Sequence, residues 1–477
     1  MSLGGQLRKL LAHSAVYGAA DVLGSVVNFL LVPVYTAFLA PAQYGDLALL
    51  LLFATVAKIV FRLGLDAGFF RIHYTLGEAE SQRRLAGSVL VFAAGAGALL
   101  FAATWLGAPV IARALLSDPA GERWIRLAAA DVWVGTFAHV PLSLLRIQER
   151  PQLFSALSAG RHLVNALLKV ALVAAGWGVT GVLLSDLLAT GAFVLALLPV
   201  AVRHARPAFS RALLREALLF GLPKVPHGLL VQALNLADRK ILDLFATRAE
   251  VGLYQLGYTF GTSVKFALSA FEPAWQPFVY AEAEKPGGPA TLARIATYVF
   301  AAFLAVGLGV AVLGPDLLRL MADAAFHAAA PVVPVVALAY VLHGAFLLGS
   351  IGIGIARAAR YYPMVTAAAA AANIGANLVL VPRFGMMGAA WSTVLAYAVM
   401  LALGFAVSRR LYPMPLEWGR LARLVLAAGA TYGAAVLLGR GTLVRAAALG
   451  LYPLLLAASG FLREGERAAL RRLAGRA

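Results

Sequence analysis

The chain contains no cysteine among its 477 residues, and it is poor in charged residues. Without cysteine it can form neither disulfide bonds nor thiolate metal sites. Only 13% of its residues are charged and 61% are hydrophobic, and the mean hydropathy is +0.83. Soluble domains carry about 25% charged residues. This composition therefore excludes a soluble globular protein and indicates a polytopic membrane protein.

Several signatures of catalysis are also missing. The sequence has neither a G-x-x-x-x-G-K-[ST] nucleotide-binding loop nor an H-E-x-x-H zinc motif. Its histidines and carboxylates do not cluster at the spacing of metal ligands, and the loops between apolar runs are too short for a catalytic domain. We therefore expect that the protein is not an enzyme and that it uses neither a metal nor a cofactor.

Apolar runs that are long enough to cross a bilayer fill the chain. A spanning helix needs roughly 20 apolar residues, and window reading predicts about fourteen of them, in an all-α membrane protein. The predicted spans are 14–39, 44–70, 86–107, 124–145, 153–174, 180–202, 217–245, 250–278, 294–314, 331–355, 361–381, 386–407, 421–438 and 443–462. The first is a full span without a small-residue cleavage site, so we expect no cleavable signal peptide.

The placement of basic residues predicts the topology. The formal net charge is +18, from 40 Lys and Arg against 22 Asp and Glu. The basic residues concentrate in alternate loops, such as "SQRRL" (81–85) and "RHARPAFSRALLRE" (203–216), and in the C-terminal tail. The positive-inside rule places these loops and both termini in the cytoplasm. The basic excess therefore indicates topology and contact with anionic lipids, and we expect no nucleic-acid partner.

Two pairs of similar turns indicate an internal repeat. "PAQYGDLALL" (41–50) resembles "RAEVGLYQLG" (248–257), and "GWGVTGVLLSD" (176–186) resembles "RFGMMGAAWST" (383–393). Both pairs are separated by 207 residues. Each repeat would hold six spans, and an even number preserves orientation, so the repeats are expected to be parallel.

This repeat predicts a two-lobed transporter. Residues 1–210 would form an N-terminal six-helix lobe and residues 211–415 a C-terminal six-helix lobe. Residues 416–477 would add two transmembrane helices and a basic cytoplasmic tail. A substrate site between the lobes, near the middle of the membrane, is typical of this plan.

Charged residues interrupt the spans at helical spacing. Lys58, Arg62 and Asp66 follow one another at four-residue intervals in the second span, which would place them on one face of a helix. Residues 161, 165 and 169 repeat the pattern in the fifth span, as Arg161, Asn165 and Lys169. A charge at the bilayer centre costs about 2.5–3.5 kcal/mol even on lenient scales, so such residues usually mark a wet cavity or pair with one another.

More polar residues lie in spans seven and eight. They are Lys224, His227, Asn235, Asp238, Arg239, Lys265 and Glu272. Across all spans the cations outnumber the carboxylates, whereas ion pairs that only join helices would be roughly balanced. The surplus favours an anionic ligand, and a diphosphate fits because Arg donates to it in bidentate fashion while Lys supplies a point charge.

The sequence resembles a known family over nearly its whole length. The motifs are "PAQYGDLALL", "RLGLDAGFFRIHY", "FGLPKVPHGLLVQALNLADRKIL", "EVGLYQLGYTFG" and "RFGMMGAAWSTVLAY". In this order they resemble the Wzx-type oligosaccharide flippases of the multidrug/oligosaccharidyl-lipid/polysaccharide (MOP) exporter superfamily. Matches to the family's motifs are Asp66, Phe69, Phe70 and Arg71 in the second span, the pair Pro226 and His227, and the pair Asp238 and Arg239. Lys240 departs from the apolar residue usual at its position.

The resemblance implies a fourteen-helix, MATE-like fold in the bacterial inner membrane. Its substrate would be an undecaprenyl-diphosphate-linked oligosaccharide, moved from the cytoplasmic to the periplasmic leaflet by alternating access. Membrane lipids and a polysaccharide polymerase are the expected partners. The sugar, and whether the pathway makes lipopolysaccharide or exopolysaccharide, are not implied.

Resemblance and charge pattern together lead to a hypothesis for the site. Lys58, Arg62, Arg161 and Lys169 would form a cationic wall for the diphosphate, faced from the other lobe by Lys224, Arg239 and Lys265. Asp66 would orient Arg62, and Asp21 or Glu272 could carry a coupling proton or sodium ion. The remaining orienting residues would be Asn165, His227, Asn235 and Asp238. The membrane potential could also drive transport.

Three alternatives stay open on the sequence. A multidrug exporter of the same superfamily would have an anionic or apolar cavity suited to cationic drugs, and Asp21 as its cation site. A peptidoglycan-precursor flippase would show an arginine-rich first span, which this chain lacks. A membrane glycosyltransferase or polymer ligase would need a large outward loop with carboxylates, which the sequence does not contain.

Overall fold

The computed structural model describes residues 23–116, 118, 120–205, 209–438 and 441–462. Every regular element in these ranges is a helix, as the sequence predicts. The chain divides into two compact units. The first unit comprises Met1–Gln255 and Asn377–Met386, and the second comprises Leu256–Ala376 and Met387–Ala477. This division does not test the predicted lobe boundaries, which stay predictions.

The first unit is built from helices that begin before residue 255. In chain order they are α1 (Val32–Phe38), α2 (Pro41–Arg62), α3 (Leu65–Thr75), α4 (Ala79–Leu115), α5 (Gly121–Thr136), α6 (His139–Ile147), α7 (Pro151–Leu172), α8 (Gly178–His204), α9 (Arg211–Gly221), α10 (Lys224–Phe245) and α11 (Arg248–Gly261), whose last turns belong to the second unit.

The second unit continues with eight further helices. They are α12 (Val264–Ala283), α13 (Gly288–Met321), α14 (Val332–Gly349), α15 (Ile351–Ile355), α16 (Tyr361–Leu411), α17 (Trp418–Leu438), α18 (Thr442–Ala448) and α19 (Leu451–Ala458). A 3-10 helix, Ala324–Ala329, precedes α14. Residues 377–386, in the middle of α16, belong to the first unit.

The described helices include eight that are long and apolar enough to cross a membrane, or nine if a bent pair is counted as one span. Two of them, Pro151–His204 with 54 residues and Tyr361–Leu411 with 51, are far longer than one crossing requires. Each is interrupted near its middle, at Gly178 and at Gly385. The protein is therefore an integral membrane protein of the all-α class, and the count of fourteen spans stays a prediction.

Gly178 and Gly385 adopt the same unusual backbone conformation. Their φ/ψ angles are 53°/−136° and 53°/−132°. This combination of positive φ and strongly negative ψ is costly for residues with a β-carbon, so glycine is required. The two glycines are 207 residues apart, the offset predicted for the repeat. The same offset relates two buried serines, since Ser185 Oγ donates to Gly181 O at 2.7 Å and Ser392 Oγ to Gly388 O at 2.8 Å.

The starts of α2 and α11 touch each other in a reciprocal way. A β-carbon on Gly45 would collide with the carbonyl oxygen of Arg248, and one on Gly252 would collide with that of Pro41. Both glycines and both carbonyl residues are related by the 207-residue offset. A contact in which each side uses the same positions is the signature of two-fold symmetry. This crossing therefore has the reciprocity that the predicted repeat requires, and the parallel six-span repeat itself stays a prediction.

The second predicted span is not one straight helix. Leu63 and Gly64 adopt left-handed conformations, with φ of 51° and 69°, and they separate α2 from α3. At this break the backbone of Gly64 lies directly against that of Gly221, where a β-carbon on either residue would clash. The expectation that Lys58, Arg62 and Asp66 share one helical face is therefore wrong for Asp66, which lies on α3.

Candidate functional site

A cavity lined by charged residues lies within the first unit, among α1, α2, α5, α7 and α8. It encloses about 1480 Å³, including space open to solvent. Its polar and charged lining residues, called here the charged cavity, are Asn28, Tyr35, Tyr44, Lys58, Asp131, Arg161, His162, Asn165, Lys169, Asp186 and Gln255. The structure thus brings together four residues that the sequence singled out, namely Lys58, Arg161, Asn165 and Lys169.

One group of contacts connects Lys58 to Arg161. Lys58 Nζ lies 3.8 Å from Asp131 Oδ2, and 43% of the Lys58 side chain is exposed. Asp131 Oδ1 accepts a 2.5 Å hydrogen bond from Thr190 Oγ1, which in turn accepts one of 3.1 Å from Arg161 Nη2. The guanidinium of Arg161 also lies 5.4 Å from the centre of the Phe193 ring. Lys58 and Arg161 therefore share a single carboxylate, which Arg161 reaches only through a hydroxyl.

A second group of contacts surrounds Lys169. Its Nζ lies 2.9 Å from Asp186 Oδ1, which also accepts a 2.8 Å hydrogen bond from Asn165 Nδ2. The hydroxyl of Tyr35 lies close enough to Lys169 to interact with its charge. Only 9% of the Lys169 side chain is exposed. Lys169 is thus a buried cation held by its own counter-charge, whereas Lys58 is more accessible and more weakly paired.

The charges of the cavity do not cancel. Three cations, Lys58, Arg161 and Lys169, line it with two carboxylates, Asp131 and Asp186. In the described part of the chain, Nε of Arg161 and Oδ1 of Asn165 are buried without a hydrogen-bond partner. Because buried polar atoms are normally satisfied, Arg161 Nε is a donor available to a ligand, whereas Asn165 Oδ1 is an acceptor and would need a ligand group that donates. The arrangement suits an anion with several oxygens, which Arg and Lys bind well.

Arg62 and Asp66 line a smaller cavity, of about 360 Å³, together with His139 and Ser143. Arg62 interacts electrostatically with Asp66 and with Arg161. His139 interacts electrostatically with four cations, namely Arg62, Arg161, Lys58 and Arg146. The cationic field of the first unit therefore extends beyond the charged cavity. The role of Asp66 in orienting Arg62 stays a prediction.

Arg239 is placed away from solvent. It is 1% exposed, and its Nη1 and Nε lie 2.6 Å from Asp238 Oδ1 and 3.0 Å from Gln255 Oε1. The hydroxyl of Tyr254 donates to the other oxygen of Asp238. This cluster joins α10 to α11. Arg239 and Asp238 are not among the lining residues of the charged cavity, and Arg239 contacts Gln255, which is one of them.

The other predicted residues lie elsewhere. Lys224 is exposed in the first unit, with its Nζ 4.5 Å from the centre of the Phe220 ring. Lys265 and Glu272 belong to the second unit, where Lys265 Nζ lies 5.8 Å from the centre of the Tyr340 ring. Lys224 and Arg239 belong to the same compact unit as Lys58, and their placement opposite Lys58 stays a prediction. Asp21 and the side chains of His227 and Asn235 lie outside the described residues.

A separate ionic cluster connects the ends of α2, α4, α10 and α11. Arg248 contacts Asp46 at 3.4 Å and Asp243 at 3.0 Å, and Lys240 contacts Asp243 at 2.9 Å. The side chains of Lys240 and Arg248 also donate to the carbonyl oxygens of Ala114 and Leu115. Lys240, which departs from the family pattern, is thus occupied in joining helix ends.

Sequence reasoning missed several members of the site. Tyr35, Thr190, His139, Asp131 and Asp186 were not candidates for the site. A signal existed for Asp186, which is a lone carboxylate in an otherwise apolar span. Tyr35 and Thr190 leave no comparable signal because hydroxyl-bearing residues are frequent in membrane helices.

Comparisons with known proteins support both the family and the fold. The family model described as "Polysaccharide biosynthesis protein" matches residues 34–277, and no curated protein matches the chain. The solved structure "Lipid II flippase MurJ, inward closed conformation" is similar with a TM-score of 0.70 at 10% identity, over 94% of this chain and 98% of that one.

Multidrug transporters share the fold as well. An inward-facing MATE family multidrug resistance transporter of the MOP superfamily has a TM-score of 0.63 and 17% identity, over 84% of this chain and 96% of that one. The MATE multidrug transporter DinF-BH has a TM-score of 0.57 and 16% identity, over 84% and 95% of the two chains. At such identities the likeness shows the fold alone, which is the MATE-like fold expected from the sequence.

Proposed function

We propose, from the premise that this chain belongs to the family of polysaccharide biosynthesis proteins, that it is a flippase for diphosphate-linked oligosaccharides. Its substrate would be an undecaprenyl-diphosphate-linked oligosaccharide, moved from the cytoplasmic to the periplasmic leaflet of the bacterial inner membrane. Both termini would lie in the cytoplasm. We propose transport without catalysis, with membrane lipids and a polysaccharide polymerase as partners.

One observation carries this proposal, namely the surplus of positive charge in the charged cavity. A cavity whose lining holds three cations and two carboxylates attracts an anion and repels a cation. A diphosphate has enough oxygens to accept hydrogen bonds from Arg161 Nε and from Lys58, 43% of whose side chain is exposed. Lys169 would keep its pair with Asp186 and add to the positive field.

The mechanism follows from how the three cations are held. Lys58 is 3.8 Å from Asp131, so a phosphate oxygen could replace the carboxylate as its closest partner at little cost. Arg161 contacts Asp131 only through Thr190. Substrate binding would then move Lys58 and Arg161 onto the phosphates and leave Asp131 hydrogen-bonded to Thr190. This exchange would couple the head group to the relative positions of α2, α5 and α7 during alternating access.

The membrane potential offers a driving force. Moving one negative charge outward across an inside-negative membrane releases about 2.3 kcal/mol per 100 mV. Asp21 and Glu272 remain candidates for carrying a coupling proton or sodium ion. The two modes would be separated by imposing either a potential or an ion gradient on proteoliposomes that contain the protein.

A multidrug exporter is the alternative that the shared fold raises, since two of the similar structures are multidrug transporters. The described charged cavity argues against it, because a cationic drug would meet a net positive lining. A peptidoglycan-precursor flippase is the alternative raised by the similarity to the lipid II flippase. Its substrate also carries a diphosphate, so a comparison of the two head groups is needed.

The decisive experiment is transport in proteoliposomes with undecaprenyl-diphosphate-linked sugar. The double variant Lys58→Gln, Arg62→Gln and the single variant Arg161→Gln should each lower the initial flipping rate by at least about tenfold, because a buried charge-assisted contact contributes about 1.5–3 kcal/mol. Arg84→Gln is the matched control, because Arg84 pairs with Glu80 at the exposed start of α4.

Full activity in the double variant, with normal folding, would refute the role of the cations. Export of a cationic dye by the wild-type protein, with no flipping of the lipid, would establish the multidrug alternative. Flipping of lipid II in preference to other saccharide-linked lipids would establish the peptidoglycan-precursor alternative.

A further inference from the structure

A second cavity, lined by five aromatic residues together with aliphatic and polar ones, lies within the second unit. It encloses about 830 Å³, including space open to solvent, among α12, α14, α15 and the start of α16. Its principal lining residues, called here the aromatic cavity, are Phe271, Glu272, Trp275, Tyr280, Ser350 and Tyr362. Only Glu272 among them belongs to the predicted site, where it was a candidate for ion coupling.

One wall of this cavity is an aromatic surface that is held in place from behind. The rings of Phe271 and Trp275 lie 5.2 Å apart at an angle of 32°, and Trp275 stacks on Phe278 at 5.9 Å. The ring of Phe303 meets Phe271 edge-on at 5.4 Å. Trp275 is 5% exposed. These contacts keep the Phe271 and Trp275 rings in fixed positions, so a ligand would meet a preformed apolar surface.

The remaining lining supplies hydrogen-bond donors and acceptors. Glu272 is exposed and offers two carboxylate oxygens. Nε1 of Trp275 is buried and has no hydrogen-bond partner within the described ranges. The hydroxyl of Tyr280 lies where a β-carbon on Gly354 would approach it to 2.7 Å, and the side chain of Tyr362 lies near that of Ser350. A buried indole N–H without an acceptor is unusual, and it points to a ligand that supplies an oxygen.

We propose that the aromatic cavity binds a sugar ring of the transported head group; this assignment rests on the proposed flippase function. A pyranose has apolar C–H faces, which pack on aromatic rings, and hydroxyl groups at its rim, which both donate and accept hydrogen bonds. The cavity presents a matching set, with Phe271 and Trp275 as the apolar surface. Trp275 Nε1 and the tyrosine hydroxyls donate, and Glu272 accepts.

The lining fits a neutral sugar better than an organic cation. A cation over aromatic rings needs negative charge but no donors. Here the negative charge of Glu272 is offset by the positive charge of Lys265, with which it interacts electrostatically. The indole N–H would also stay unsatisfied beside a cation. A polyhydroxylated ligand uses every one of these groups.

The test compares two lipids on the purified full-length protein in nanodiscs. One lipid is undecaprenyl diphosphate, and the other is undecaprenyl diphosphate that carries a saccharide, taken from a panel of hexose, N-acetylhexosamine and uronic acid head groups. Wild-type protein should bind at least one saccharide-bearing lipid about tenfold more tightly, since one ring contact and one or two hydrogen bonds supply that difference. Tetraphenylphosphonium serves as the cationic probe.

Variants locate the difference in the aromatic cavity. Glu272→Gln and Tyr362→Phe should each abolish most of the tenfold preference, and Tyr362→Phe should leave the affinity for undecaprenyl diphosphate unchanged. Glu284→Gln on the exposed end of α12 and Tyr361→Phe beside Tyr362 are matched controls that should keep the preference. Trp275→Phe removes the N–H donor together with one ring of the indole, and it should weaken saccharide binding if it folds.

Each outcome bears on one proposal only. Binding of undecaprenyl diphosphate without any preference for a saccharide would overturn the sugar site and leave the flippase function standing. A preference for saccharide-bearing lipid that persists in Glu272→Gln and Tyr362→Phe would also overturn the sugar site and leave the flippase function standing. Tetraphenylphosphonium binding that depends on Glu272 would make the cavity a cation site. Failure of wild-type protein to bind any of the lipids would refute the flippase function itself.

Discussion

Lys169 shows how a cation is kept at depth in this protein. Its side chain is 9% exposed, it lies 2.9 Å from Asp186, and Asn165 contacts the same carboxylate oxygen. A buried pair of this kind is weak evidence for net stability, but removal of one partner leaves an uncompensated buried charge. The pair therefore acts mainly as a constraint between α7 and α8.

This leads to a prediction about stability. Asp186→Asn should lower the free energy of unfolding by about 3–5 kcal/mol, because Lys169 is left buried without a counter-charge. The double variant Lys169→Met, Asp186→Leu should recover most of the loss. Thermal unfolding in detergent, followed by tryptophan fluorescence, measures both variants.

The exposed pair of Arg84 and Glu80 provides the comparison. Their side chains are 53% and 41% exposed, so Arg84→Gln should cost no more than about 1 kcal/mol. An equal loss of stability in Arg84→Gln and Asp186→Asn would contradict the view that burial distinguishes Lys169.

At the residue scale the sequence predicted which cations would meet, but not their partners. Arg161, Asn165 and Lys169 lie one helical turn apart, so their common face follows from the period of the helix alone. Their contacts with Thr190 and Asp186 depend on how α8 packs against α7. That packing is tertiary information, and no local pattern contains it.

At the scale of elements, the crossing of α2 and α11 depends on two glycines. The starts of the helices are close enough that a β-carbon on Gly45 or Gly252 would meet a carbonyl oxygen of the other helix. Both helices also begin with a side chain that accepts from the backbone, Gln43 from Ala40 N at 3.0 Å and Glu250 from Thr247 N at 3.3 Å. The starts of α2 and α11 therefore use the same residue pattern, at positions 207 residues apart.

Alanine substitution tests this crossing. Gly45→Ala and Gly252→Ala should each destabilise the protein by about 1–3 kcal/mol, since the helices must separate to accept the added carbon. The two losses should be similar because the contacts are reciprocal. The apparent melting temperature of the purified protein is the measurement.

Gly160→Ala in α7 is the control for the alanine series. A β-carbon there would meet nothing within 4 Å, so the substitution should be neutral or stabilise the helix by up to about 1 kcal/mol. Equal destabilisation by all three substitutions would indicate a general sensitivity to alanine and would contradict the close crossing.

Element boundaries show where sequence reasoning fails. Apolar length predicted one span over 44–70, but the structure breaks it at Leu63 and Gly64. The break depends on the approach of Gly221, which is distant in the sequence. The sequence analysis placed Gly178 and Gly385 in turns, and both residues do interrupt long helices. These breaks were predictable because a positive φ favours glycine, and a glycine is visible in the sequence.

At the scale of the whole molecule, the absence of cysteine makes topology directly measurable. A single cysteine introduced anywhere is the only thiol in the chain. Charge placement predicts that the basic loop before α4 is cytoplasmic and that the loop between α4 and α5 is periplasmic. Ala79 and Asp118 are exposed positions in these two regions.

Thiol labelling in intact cells should distinguish the two sides. Asp118→Cys is expected to react with a membrane-impermeant maleimide, and Ala79→Cys only after the membrane is permeabilised. The unsubstituted chain is the control and should stay unlabelled. The reverse pattern of labelling would invert the topology and, with it, the proposed direction of transport.

The reciprocal contact of Gly45 and Gly252 also has a consequence for ancestry. A surface that pairs with its own image can join two separate copies of a chain as readily as two parts of one chain. A protein of half this length would carry the glycine and the carbonyl needed for both sides of the contact. The reciprocal contact is therefore the arrangement that duplication and fusion of one half-length chain would produce.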